Sequence, residues 1–116
     1  MQLTMKAEVP EGEYLGKLVS VDEWNENVDK YGPAIRFAWV ITRGDYEGQE
    51  VSRITGTRVT KKTALGKLLR GLKGASIEPG EQIDPTAFIG REYVLRVEET
   101  ESGATRVASV ISPPTA

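Results

Sequence analysis

Neither cysteine nor histidine occurs in these 116 residues. Without cysteine there is no disulfide scaffold and no thiolate metal site. Without histidine the Ser-His-Asp and Cys-His arrangements are excluded, and so is zinc held by Cys and His. The side chain that most often moves protons near pH 7 is missing. No segment carries the Asp/Asn spacing of a calcium loop. The glycines form no G-x-x-x-x-G-K-[ST] phosphate loop, since Gly66-Lys67 opens no such pattern. A non-enzyme without metal or cofactor, and with no small-molecule substrate, is the expectation. Long apolar runs are also missing. Nothing approaches the roughly 18–20 residues of a membrane span, and the opening MQLTMKAEVPEGEY lacks the apolar stretch of a secretory signal. A cytoplasmic protein is expected, in the host cytoplasm if the source is viral. The 39% hydrophobic content suits one domain with one core over residues 1–116, ordered from about 9 to 112.

The net charge of −2 conceals a segregation. Residues 1–50 carry five basic and ten acidic side chains, and residues 78–116 carry three basic and seven acidic. Between them, residues 51–77 hold Arg53, Arg58, Lys61, Lys62, Lys67, Arg70 and Lys73 with no acidic residue. A basic block between acidic flanks is the main electrostatic feature of the chain.

The hydrophobic pattern changes period along the chain. Tyr14 to Trp24 reads as a long first strand, with a bend or bulge suggested by Gly16 and a slip of alternation between Leu15 and Val21. A polar connection over 25–33 leads to residues 34–43. There Ile35, Phe37, Trp39 and Ile41 alternate with Ala34, Arg36, Ala38, Val40 and Thr42, predicting a strand with the first set inward and the second outward. Gly44 to Gly48 forms a hairpin loop, and residues 49–58 form a third strand. Leu65, Leu68, Leu69 and Leu72 then fall at i, i+3, i+4 and i+7, one face of a helix. Thr60 or Thr63 caps its start and Gly74 its end. Gly66 and Gly71 weaken it by roughly 1 kcal/mol each, so packing must hold it. After a loop, residues 89–99 form a fourth strand, with Tyr93, Leu95 and Val97 on one side. Residues 104–111 form a fifth, with Val107 and Ile111 as core anchors, stopped by Pro113-Pro114.

The order β1-β2-β3-α-β4-β5, with one helix between strands 3 and 4, predicts an all-β, five-stranded Greek-key OB barrel. A β-sandwich needs about seven strands, and a ferredoxin-like domain a second helix. A resemblance enters on particular residues. They are G-x-Y-x-G-x-L-x-x-V at Gly12–Val21, Tyr31-Gly32, the alternating strand Ile35–Ile41 and Gly44-x-Tyr46-x-Gly48. The Leu-rich helix Leu65–Leu72, Ile83-Asp84 and Phe88-Ile89-Gly90-Arg91 complete it. Together these resemble small OB-fold single-stranded-DNA-binding proteins carried by bacteriophages in their replication or recombination regions. The resemblance implies sequence-tolerant binding of single strands, with positive charge tracking the backbone and aromatic faces stacking on bases.

On that expectation Arg36, Arg53 and Arg58 share an outer strand face, and Lys61 and Lys62 extend it at the strand-to-helix loop. Trp24, Tyr31 and Tyr46 offer stacking faces at strand ends and loops, and Arg43 reinforces Tyr46. Lys67, Arg70 and Lys73 are either phosphate contacts or a solvated helix face. Single-stranded DNA, or RNA, is the expected partner, together with a homo-oligomer for coverage of the strand. The alternative is an OB-type protein-interaction or assembly module that does not bind nucleic acid. Overall acidity supports that alternative, and so would scattering of the three arginines around the fold.

Overall fold

The structure, a computed structural model, describes residues 9–24, 32–101 and 103–111. Five strands and one α-helix follow in order. These are β1 (Gly12–Trp24), β2 (Ala34–Ile41), β3 (Glu50–Gly56), α1 (Ala64–Lys73), β4 (Glu92–Glu99) and β5 (Thr105–Ile111). A short 3-10 turn, Pro85–Phe88, precedes β4; the sequence pattern leaves it as loop. All pairings are antiparallel, in the order β3-β2-β1-β4-β5. No ladder joins β3 to β5 among the described residues, yet Cα atoms of these two edge strands come within 8 Å of each other.

The length of β1 explains the curl. Its first half pairs with β4 over Gly12–Lys17, and its second half pairs with β2 over Gly16–Trp24. The register shifts between Leu18 and Ser20, so Val19 is the extra residue of a bulge and stands 40% exposed. A bulge bends a strand and increases its twist, which turns one strand into a shared wall for two neighbours. At its centre Gly16 admits Leu95: a Cβ there would lie 2.4 Å from Leu95 Cδ1.

Inward rows follow the alternation. Phe37, Trp39 and Ile41 on β2 are buried with Leu18, Val51, Leu95 and Val97, while Ile35 is only partly covered. The Phe37 and Trp39 rings lie nearly parallel, 6.1 Å apart. Two expectations fail for identifiable reasons. Ala38, on the outward row, is fully buried, because an Arg36–Glu50 ion pair bridges over the Ala38–Ser52 position. Ile111 is exposed and Val110 replaces it in the core. The cause is a register shift in the β4–β5 ladder, where Arg96 faces Ser109 but Val97 faces Val107. Ala108 is the additional residue, and it moves the inward positions from i, i+4 to i, i+3.

The helix is set by its caps and its leucines. Thr63 Oγ1 accepts from Gly66 N at 3.1 Å, and the left-handed Gly74 (φ 78°) donates its N–H to Arg70 O at 2.9 Å. Leu65, Leu68, Leu69 and Leu72 are buried against the strands. Both helix glycines serve close contacts. A Cβ on Gly66 would fall 1.8 Å from Thr60 O, and one on Gly71 2.3 Å from Val110 O, so the helix backbone abuts β5. Tyr93, buried in β4, donates its hydroxyl to Leu72 O at 2.8 Å and so satisfies one of the last-turn carbonyls.

Helix propensity alone predicts that Gly71→Ala gains about 1 kcal/mol. The Val110 carbonyl reverses that sign, and the substitution should destabilise by about 1–3 kcal/mol as an overpacked contact, measured by urea denaturation. Tyr93→Phe should cost about 1 kcal/mol through the lost hydrogen bond. Burial, partly offset by the charge of Arg91, raises the Tyr93 pKa above 10.0. Its contribution is therefore full below pH 10 and is lost as pH rises through the folded-state pKa. Tyr93→Phe should show a shallower alkaline loss of stability than the wild type.

Candidate nucleic-acid interface

The basic block of the sequence lands around a groove between α1 and β5. It spans about 1020 Å³, and among the described residues Arg53, Lys62, Lys67, Arg70 and Arg106 line it with a single carboxylate, Glu98. Each cation arrives by a different route. Thr60 and Thr63 fix the β3–α1 connection: Thr60 N donates to Thr63 Oγ1 at 3.0 Å, and Lys62 N donates to Thr60 Oγ1 at 3.2 Å. This sets Lys62 at the groove's end. Lys67 and Arg70, one helical turn apart, lie on the helix face opposite the leucines and are exposed. Arg106 comes from β5, opposite Glu98 on β4. The rest of the lining mixes small residues, among them Gly71, Gly74, Ala108 and Ser109, with Leu68, Val110 and Ile111.

Arg53 is the unusual member. It faces Phe37 across the β2–β3 ladder, which puts it on the inward row of β3. Its side chain is 17% exposed and its guanidinium reaches Glu98 Oε1 at 3.8 Å. The same oxygen accepts from Arg106 Nε at 2.7 Å. Burial, and after it the charge of Arg106, lowers the Arg53 pKa, while Glu98 opposes that shift. Two guanidiniums share one carboxylate oxygen. Lys62, Lys67 and Arg70 have no ion-pair partner among the described residues. The groove is a concentrated positive field with one internal counter-anion.

The other expected site residues lie elsewhere, and the three arginines do not share a face. Arg36 occupies the outward row, opposite Ile54. It is engaged within the protein, with its guanidinium 5.8 Å from the centroid of the Trp24 ring and 2.6 Å from Glu50 Oε1. Asp22 faces Arg36 across the β1–β2 ladder, so this patch carries two carboxylates and one cation. Arg58 lies beyond the end of β3 at Gly56, in the connection to α1; it and Lys61 are exposed and do not line the groove. Tyr46 packs edge-on against Tyr14 with ring centroids 5.9 Å apart, tying the β2–β3 loop to β1. Arg43 lies beside it in a hollow shared with Glu13 and Asp45, which an anion would not favour. Tyr31 lies outside the described residues.

Lys73 is committed to structure. Its Nζ donates to Ser76 O at 3.0 Å and meets Glu81 Oε2 at 2.7 Å. The hydrogen bond from Lys73, with a further one from the Glu78 backbone N–H, lowers the Glu81 pKa. Sequence reasoning passed over Arg106, because it lies far from the basic block and only the β4–β5 pairing brings it there. No aromatic side chain lines the groove among the described residues. Nor do those residues contain a cluster of three or more acidic or histidine side chains able to hold a metal ion. No helix among them is long and apolar enough to cross a membrane. Comparison with protein-family models and with curated proteins gives no match.

Lys73→Met should lower the thermal midpoint measurably and reduce the acid-side stability that Glu81 supplies, leaving the share held by the Glu78 N–H. That stability is present above the unfolded carboxylate pKa and is lost as pH falls through the folded one. Lys67→Met should leave the thermal midpoint unchanged.

Proposed function

We propose that this chain is an OB-type domain that binds single-stranded nucleic acid without sequence preference, and that the groove between α1 and β5 is where the strand's phosphates lie. The strand order, the bulged β1 shared by β2 and β4, and the approach of β3 to β5 all support reading the curled sheet as a five-stranded Greek-key barrel with α1 across one end. The observation that carries the functional reading is the groove's composition, five cations against one carboxylate in a protein of net charge −2. Surface charges act over roughly 8–10 Å at ordinary salt, so a ligand in the groove meets the local field and not the net charge.

Small residues in the lining, Gly71, Gly74, Ala108 and Ser109, leave room for an extended backbone beside the cations. The lack of groove aromatics shifts the balance from stacking toward backbone tracking. Trp24 lies under Arg36 on the outward face, away from the groove lining, so it adds no stacking surface there.

A protein-interaction module remains the second reading. It is favoured by the separation of Arg36 from Arg53 and by the exposed Ile54 on the outward face. Roles in phage replication or recombination, a cytoplasmic setting and a homo-oligomeric form belong to the first reading as its biological context.

Fluorescence anisotropy of a labelled oligo-dT separates the two. Binding should weaken with salt at about −0.7 per phosphate contact, toward a slope of about −3.5 if all five cations engage. Lys67→Glu with Arg70→Glu should weaken binding by about 10–100-fold at low salt and make the slope shallower by about 1.4. An absence of binding by the folded wild type at low salt would leave the interaction module as the better account.

A further inference from the structure

We infer that Arg53 and Arg106 form a phosphate subsite at one end of the groove, and that Glu98 is its resident counter-anion, displaced when a strand enters. This rests on the nucleic-acid reading above and specifies how that site is regulated.

Three observations converge on it. Glu98 Oε1 is held by Arg106 Nε at 2.7 Å and approached by Arg53 at 3.8 Å, so one carboxylate oxygen stands where a phosphate oxygen would meet two guanidiniums. One carboxylate against two guanidiniums leaves a positive excess. The less exposed partner, Arg53, holds the longer contact, so its charge is the less well compensated. The carboxylate is 40% exposed at the groove wall, so its release into water needs no rearrangement of the core. Beyond Glu98 lies a hollow that it shares with Glu11, Glu13 and Arg96, where three carboxylates outnumber one cation. Glu98 therefore marks the end of the positive track and offers a strand an exchange of one anion for another. Guanidinium suits that exchange, because its fixed fork meets carboxylate and phosphate oxygens alike.

The exchange makes affinity depend on what Glu98 opposes. An exposed ion pair is weak, and removing the carboxylate also removes its repulsion of the incoming phosphate. The test is a salt series with oligo-dT on the wild type and on Glu98→Gln, together with NMR of the arginine Nε–H signals in the wild type. Glu98→Gln should bind about five- to tenfold more tightly at low salt, while Arg106→Met binds more weakly than the wild type. In the wild type the Arg106 Nε–H signal should shift as oligo-dT is added, a readout that does not depend on any variant folding. Wild-type binding with an unshifted Arg106 signal, or with a folded Glu98→Gln that binds no more tightly, overturns the role of Glu98 and leaves the nucleic-acid reading standing. No binding by the wild type defeats both.

Discussion

The groove exists because a glycine lets a helix touch a strand. At Gly71 the α1 backbone comes so close to the Val110 carbonyl that no side chain fits between them. The leucine face beneath supplies the adhesion, since Leu65, Leu68, Leu69 and Leu72 are all buried. Burying a leucine is worth about 1.5–3 kcal/mol, far more than the roughly 1 kcal/mol that each helix glycine forfeits. Packing wins over propensity, and the winning geometry leaves Lys67 and Arg70 exposed along the groove that Arg106 also lines. Everything proposed for function follows from that contact.

Electrostatics then follow from topology. Arg53 begins on the inward row of β3, where the alternation would normally place an apolar residue, and β3 runs along an open edge of the hydrogen-bonded sheet. A closed ladder between β3 and β5 would leave less room for a long polar side chain at that position. The edges approach without pairing, and the Arg53 side chain meets Glu98 on β4. The cost of a partly buried guanidinium, visible in its lowered pKa, is a local departure from the apolar pattern. Such departures gather where a fold must do something besides fold.

Much of the architecture was legible because it is written in periods. The change from period two to 3.6 at Leu65, and the glycines around the Gly44–Gly48 loop, place the elements to within a few residues. What could not be read depends on bulges. One extra residue at Ala108 moved the core position from Ile111 to Val110, and no local pattern distinguishes the two before the β4–β5 register is known. The site suffered more, because a groove is a long-range object. The basic block announced Arg53 and Lys62 but could not reveal that Lys73 is spent on Glu81, that Arg36 is spent on Glu50, or that Arg106 joins from fifty-three residues beyond Arg53. Residues grouped by charge in sequence were sorted by partner in space.

That sorting bears on how an acidic protein could hold a polyanion. The two faces differ both in how many cations they own and in how many remain uncommitted. On the outward β1–β2–β3 face, Arg36 is matched by Glu50 and faced by Asp22. Around the groove, Lys62, Lys67 and Arg70 stand without an ion-pair partner among the described residues, and two arginines share one carboxylate. A phosphate chain arriving at the first face must break an internal pair and pass a second carboxylate. At the groove it meets charge that is already desolvated in part and already in excess. Net charge sets solubility and distant repulsion, but within a Debye length the uncommitted cations decide where a strand would lie. At one end Glu98, with Glu11 and Glu13 in the hollow beyond it, bounds the cationic lining, so a strand would leave the groove's field there.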